Sequence, residues 1–194
     1  MKIIGLTGSI GMGKTTIANL FAQQGAEIFN ADAVVHHLLD QNAAIIDEVR
    51  DMFPEAVKKG QVDRKKLGEI VFSDTGKRKR LEELLHPPVF EEQDRFLLQK
   101  KREGAALVVL EIPLLFETGS DAICDITVVV SAPEEIQKER VMQRSGMDED
   151  KFYAIIDSQM SDAQKRKLAD YIVETDKGME HSRTQVQQII EENA

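Results

Sequence analysis

An α/β fold, with a parallel sheet flanked by helices on both faces, is predicted by three features of this sequence. Short β-prone runs alternate with stretches of helical period along much of the chain. A glycine-rich loop stands between the first such run and the first helical stretch. The run Asp125-Ile126-Thr127-Val128-Val129-Val130 is β-branched and apolar on both faces, as a central parallel strand is.

The first element is Lys2-Ile3-Ile4-Gly5-Leu6-Thr7. Gly8-Ser9-Ile10-Gly11-Met12-Gly13-Lys14-Thr15 follows and fits G-x-x-x-x-G-K-[ST], the phosphate-cradling P-loop. Ile17, Leu20 and Phe21 then recur at helical spacing, so strand, loop and helix stand in the order this motif needs. Glycines let backbone N–H groups turn onto a phosphate without Cβ clashes. The following helix points its positive end at the same anion. Lys14 can reach the β- and γ-phosphates, and Thr15 can offer its hydroxyl to Mg²⁺. The dinucleotide fingerprint G-x-G-x-x-G, with an acid about 20 residues on, does not fit. Asp32 lies at a tempting distance, but the order here is Gly8-x-x-Gly11-x-Gly13 with Lys14-Thr15 directly after.

Gly25 reads as a helix stop, and Ala26-Glu27-Ile28-Phe29-Asn30 as a second strand. The next buried run, Ala106-Leu107-Val108-Val109-Leu110, lies about 75 residues further on, far beyond an ordinary crossover. Apolar pairs at Val34, Val35, Leu38, Leu39 and onward to Val89 give that interval an almost wholly helical reading. It is expected to be a helical insertion, residues 31–104, carrying substrate recognition, with hinges near Ala31 and Gly104. The nucleotide-binding core would then be residues 1–30 and 105–194. In that core, Pro133 suits the first position of a helix running through Ile136, Arg140, Val141 and Arg144 and stopping near Gly146. Polar helical stretches follow, at Phe152, Ile155 and Ile156 and over 163–168. Residues 170–174 form a fifth strand, and Val186, Ile189 and Ile190 mark a last amphipathic helix.

Composition narrows the partners. The chain has 194 residues and 42% hydrophobic content, enough for one compact core or a core with one insertion. Against 25 lysines and arginines stand 34 aspartates and glutamates, a net charge of −9, so no broad nucleic-acid surface is expected. Cys124 is the only cysteine, which rules out an intrachain disulfide and a Cys-based metal cluster. The first strand begins almost at once, leaving no room for a signal peptide, and no apolar run approaches membrane-spanning length. The expectation is a cytoplasmic monomer with no membrane partner.

Several residues are candidates for chemistry. Asp32 follows the second strand, where it can accept the proton of an attacking hydroxyl or else cap a helix. Asn30 is a polar contact or a strand-end residue. Glu111, after the third strand, holds Mg²⁺ or its waters, or merely ends the strand. Arg140 and Arg144 stand four apart on one helix face, ahead of the mobile-looking turn 145–150. That suits a lid, about 140–165, closing arginines over transferring phosphates; the other reading is a solvated face with ion pairs such as Glu134 with Lys138. His86-Pro87-Pro88 ends one helical run and begins another, with His86 donating to a phosphate or capping the preceding helix. His36 and His37 lack partners at metal spacing, the basic run 77–80 reads as a solvated face or a steering patch, and Cys124 as a small packed thiol.

Several stretches together resemble the bacterial dephospho-CoA kinase family. They are the segment from Ile4 to Thr16, Asn30-Ala31-Asp32-Ala33, Asp63-Arg64-x-x-Leu67 with Ile70-Val71-Phe72, and Leu81-Glu82-x-x-x-His86-Pro87. Ile112-Pro113-Leu114-Leu115-Phe116-Glu117, Arg140-x-x-x-Arg144 and Ala169-Asp170-Tyr171-Ile172-Val173 complete the set. The resemblance implies a P-loop kinase fold of five parallel strands, with a helical substrate domain and a lid. It implies phosphoryl transfer from ATP, with Mg²⁺, to the ribose 3′-hydroxyl of dephospho-CoA. By that analogy Asp32 is the base, and Lys14 with Arg140 stabilises the transferring phosphoryl. Gly8, Gly11, Met12, Gly13, Lys14, Thr15 and Thr16 with Arg144 hold the nucleotide. Thr15 and Glu111 serve the metal, and Asn30, Arg64, His86, Leu115 and Glu117 lie near the acceptor. The chain departs from the family pattern at Asn30, where an Asp is common, at Met12 and Thr15, where Ser is commoner, and at Thr175, near an adenine-facing Asn. The alternative is another P-loop kinase, acting on a nucleoside monophosphate or a small alcohol.

Overall fold

The computed structural model describes residues 1–72 and 74–193. In chain order the elements begin with β1 (Lys2–Thr7), α1 (Lys14–Gln23), β2 (Glu27–Asn30), α2 (Ala31–Gln41) and α3 (Ala43–Met52). Next come β3 (Val57–Lys58), β4 (Gln61–Val62), α4 (Arg64–Phe72), α5 (Thr75–Glu103), β5 (Leu107–Glu111) and β6 (Ile126–Ser131). The last are α6 (Glu134–Met142), α7 (Glu149–Asp157), α8 (Asp162–Leu168), β7 (Tyr171–Glu174) and α9 (Met179–Asn193). The chain divides into two compact units, Met1–Asn30 with Leu97–Ala194, and Ala31–Phe96.

The first unit holds a five-stranded parallel sheet in the order β2-β5-β1-β6-β7. All six residues of β6 are buried, which is why that run carries no polar alternation. Ile17 and Phe21 of α1 and Val186 and Ile189 of α9 share one apolar core with Ile4, Val128 and Val173 of the sheet. The register sets Leu6 and Asn30 beside Glu111, and Thr7 beside Val129. The carboxyl ends of β1, β2 and β5 therefore open on one edge, where parallel α/β sheets bind ligands.

The helix after β6 is shorter than its sequence pattern predicts. It ends at Met142, not near Gly146. The Arg144 N–H reaches back only three residues, to the Val141 carbonyl at 3.0 Å, and Gly146 takes a φ of +78°. Arg144 therefore lies in an exposed turn beyond the helix, and its spacing from Arg140 is not a shared helix face. Lys138 pairs with Glu149 of α7 at 2.8 Å, not with Glu134, and its ammonium stands 5.3 Å over the Tyr153 ring.

Among its described residues the second unit is helical apart from one small ribbon that periodicity did not reveal. β3 and β4 pair antiparallel around Lys59 and Gly60, both at positive φ (+52° and +78°), as in a primed hairpin turn. Two-residue strands are too short to show a period. Val49, Phe53 and Ala56 have almost no exposed surface, and the Asn42 side chain caps α3 by accepting the Ile45 N–H. The second correction concerns His86-Pro87-Pro88. These residues lie inside α5, a single helix of 29 residues, and mark no junction. The two prolines remove two ladder bonds, but turns on both sides remain and Leu85 and Val89 are buried. Residue 96 to residue 97, within α5, is also where the second unit ends.

Candidate functional site

The phosphate loop is held in shape by contacts from three later parts of the chain. Gln137 of α6, itself buried, donates Nε2–H to the Ile10 carbonyl at 2.8 Å. Thr175 Oγ1, just after β7, donates to the Met12 carbonyl at 2.9 Å. The Ala132 N–H, after β6, points at Met12 Sδ at 3.1 Å. Met12 is buried, so its side chain belongs to the scaffold of the loop. Close packing explains two of the glycines. A Cβ on Gly8 would lie 2.5 Å from the Val130 carbonyl oxygen, and one on Gly11, at φ +78°, 2.6 Å from Val141 Cγ2.

Gly13 is the N-cap of α1, without a side chain to satisfy the helix end, and the first turn carries no acidic residue. The N–H groups of Lys14, Thr15 and Thr16 have no intrahelical acceptor by helix geometry. Together with the Lys14 ammonium they form a cationic, donor-rich end suited to an anion.

Beside that end stands a buried carboxylate. Glu111, only 3% exposed, accepts from Thr15 Oγ1 at 2.7 Å through Oε1 and from Asn30 Nδ2 at 2.6 Å through Oε2. Three predicted site residues from three elements thus form one chain of contacts. It also explains Asn30. An amide offers the buried carboxylate a donor, whereas a second carboxylate would repel it. The Thr15 and Glu111 oxygens are the kind of donor a hard divalent cation takes, together with water.

Arg140 is brought to the loop indirectly. Its Nη1–H and Nη2–H donate to Thr175 Oγ1 and to the Thr175 carbonyl at 2.8 and 2.7 Å. The guanidinium therefore backs the same hydroxyl that holds the Met12 carbonyl. A cavity of about 640 Å³ opens beside the loop, lined by Ser9, Met12, Gln137, Asp162, Arg166 and Glu174 among others. Lys14, Thr15 and Glu111 do not line it, so it flanks the phosphate-binding end instead of forming it. In its wall Ser131 Oγ donates to Asp162 Oδ2 at 2.8 Å and accepts from Arg166 at 2.9 Å.

Two predicted acceptor residues have other duties in this unit. Leu115 has no exposed surface and packs over Gly5, where a Cβ would meet its Cδ2 at 2.8 Å; it is a core residue. Glu117 Oε1 accepts from Lys165 Nζ at 3.0 Å and from the Met160 N–H at 2.8 Å. Lys165 was invisible in the sequence, since it sits in the polar run Ser161-Asp162-Ala163-Gln164-Lys165-Arg166-Lys167. Only the Ser161–Gln164 capping box signals where that helix starts.

The second unit carries the other candidates. Asp32 is exposed, at the second position of α2, so it is not an N-cap. In the Asp63-Arg64-x-x-Leu67 stretch, Asp63 Oδ1 accepts the Lys66 N–H at 3.0 Å and Leu67 is buried. That backbone hydrogen bond, outweighing the cost of desolvation, holds the Asp63 carboxyl below its ordinary pKa. Arg64 is half-exposed, with its guanidinium 3.7 Å from Asp40. The His86 ring lies tilted against that of Phe90 within α5, 5.9 Å between centroids, and caps no helix. His36 and His37 are exposed, and Arg78 and Lys79 pair with Glu82 and Glu83 one turn on.

The family model described as dephospho-CoA kinase matches residues 2–181. The chain belongs to the dephospho-CoA kinase family. A dephospho-CoA kinase of Agrobacterium fabrum is 46% identical over 192 residues, covering 98% of this chain and 97% of that protein. A crystal structure from Thermus thermophilus superposes with a TM-score of 0.82 at 36% identity, covering 100% of this chain and 98% of the other. A dephospho-CoA kinase from Campylobacter jejuni superposes with a TM-score of 0.64 at 29% identity, covering 98% and 96%. The fold is the P-loop kinase fold, and the activity of the family is ATP-dependent phosphorylation of dephospho-CoA.

Proposed function

We propose that this chain transfers the γ-phosphoryl group of ATP to the ribose 3′-hydroxyl of dephospho-CoA, giving CoA and ADP. The observation that carries the donor half is the Thr15–Glu111–Asn30 chain beside the open amides of α1. In this reading the backbone from Gly8 to Thr16 cradles the triphosphate, and Lys14 balances charge on the transferring group. Asp32, two residues after Asn30, accepts the proton as the 3′-oxygen forms its bond to the γ-phosphorus and the bridging bond to ADP breaks. Arg140 supports the loop through Thr175 and supplies positive charge near it, with Arg144 in the exposed turn reaching the nucleotide. Arg64 and His86 are the acceptor-side groups on the second unit.

Thr15 and Glu111 would hold Mg²⁺, whose role is to neutralise charge on the β- and γ-phosphate oxygens. Among the described residues no group of three or more His, Cys, Asp or Glu side chains is placed for a metal. Most ligands would then come from water and phosphate, as is usual for this ion. No described helix is long and apolar enough to cross a membrane. A cytoplasmic monomer, acting without nucleic acid or membrane, is the proposed working form.

The test is purified protein with ATP and Mg²⁺ against dephospho-CoA, adenosine, AMP, shikimate and no acceptor. Dephospho-CoA should dominate turnover; equal turnover of AMP, or ATP loss independent of acceptor, would overturn the assignment. Asp32→Asn should lower kcat by roughly 10²–10⁴ while ATP affinity holds. Near-normal turnover would remove Asp32 as the base.

A further inference from the structure

Lys165 is a lysine with no exposed surface, reached by parts of the chain far apart in sequence. Its ammonium donates to the Pro113 carbonyl at 2.8 Å and to Glu117 Oε1 at 3.0 Å. The same Pro113 carbonyl accepts from Thr7 Oγ1 at 3.0 Å, and Thr7 is the residue directly before Gly8. The same Glu117 oxygen accepts the Met160 N–H, in the connection from α7 to α8. One buried cation thus joins the root of the phosphate loop, the segment after β5 and the return from α7.

A contact made only for stability has a less costly form, because buried ion pairs are often matched by apolar residues of similar volume. What the apolar form cannot do is bond to a carbonyl that also carries the last residue of β1. Burial lowers the Lys165 pKa first, Glu117 opposes that shift, and the Lys14 charge adds to the lowering. Asp162, on its own helix, again opposes it.

We infer that Lys165 is a positioning residue for phosphoryl transfer, with Glu117 as its counterion instead of an acceptor contact. It holds the 113–117 segment and the 158–161 connection against Thr7, and so sets the loop and Lys14 in place. The inference rests on the kinase reading above.

The experiment uses the full chain with Lys165→Met, Lys165→Met with Glu117→Gln, and Thr7→Val. Each is read by thermal melting, by kcat and KM for both substrates, and by hydrogen exchange over 112–117 and 158–161. The double variant removes both charges together, so no orphan carboxylate remains. It should melt near the parent, yet show at least a tenfold lower kcat, an ATP KM within threefold, and faster exchange in both segments. Thr7→Val, which leaves the ion pair intact, should lower kcat severalfold with little change in melting. Recovery of both melting and kcat in the double variant would overturn the inference, as would unchanged exchange in both segments. Wild-type protein inactive on dephospho-CoA would overturn the kinase reading instead; the exchange readout does not depend on it.

Discussion

Replacing Asn30 by Asp tests whether Glu111 depends on a neutral donor. The amide stands 2.6 Å from Glu111 Oε2, and Glu111 is almost wholly buried. Asn30→Asp exchanges that donor for a second carboxylate. With charge centres about 4 Å apart and an effective dielectric near 20, the repulsion is about 4 kcal/mol. The lost amide–carboxylate hydrogen bond adds about 1.5–3 kcal/mol, and relaxation of the side chains offsets part of both. A net loss of roughly 2–4 kcal/mol at pH 8 follows, or roughly 5–15 °C in Tm for a chain of this length. Repulsion needs both groups ionised, so the loss shrinks as pH falls and one carboxylate keeps its proton. The assay is thermal melting of parent and variant from pH 5 to 8.5, with chelator and with added Mg²⁺. The difference should be greatest at pH 8 in chelator and smaller at pH 5. Added Mg²⁺ should reduce it if Thr15 and Glu111 hold the metal. A variant as stable as the parent at pH 8 in chelator would refute the role given to the Asn30–Glu111 contact.

Three further outcomes follow from the same structure. Thr175→Val removes the hydroxyl that holds the Met12 carbonyl and accepts from Arg140; it should cost about 1–2 kcal/mol and weaken ATP binding about three- to tenfold. Calorimetric titration with ATP checks this, and unchanged affinity would show that the loop keeps its shape without Thr175. Burial, then the charges of Asp121 and Asp125, push the Cys124 thiol from an ordinary 9.0 up to about 12. Native protein should resist iodoacetamide at pH 8 and react once denatured, since its thiolate is about 1,000-fold scarcer than that of a free thiol. The unfolded chain releases this proton before the native one does. Stability should therefore fall with pH between about 9 and about 12, and fall less in Cys124→Ala.

The sequence by itself determined the features whose physics is local. A strand, a glycine loop and a helix adjacent along the chain make an anion-binding end whatever lies elsewhere, so Gly8 to Thr16 were readable at once. The inner strands β5 and β6 were readable because runs buried on both faces carry no polar alternation, and β6 is buried along its whole length. The family resemblance drew on stretches of the same kind. Tertiary structure decided which polar groups meet. Glu111 finds Thr15 and Asn30 across 96 and 81 residues, and Thr175 finds Met12 across 163. No local pattern encodes such pairings. Packing also decided that Leu115 is core, that Lys165 is buried inside a run that reads as solvated, and that Pro87 and Pro88 stay within one helix. A side chain's burial depends on what the rest of the chain brings against it, and propensity yields when that contact is strong enough.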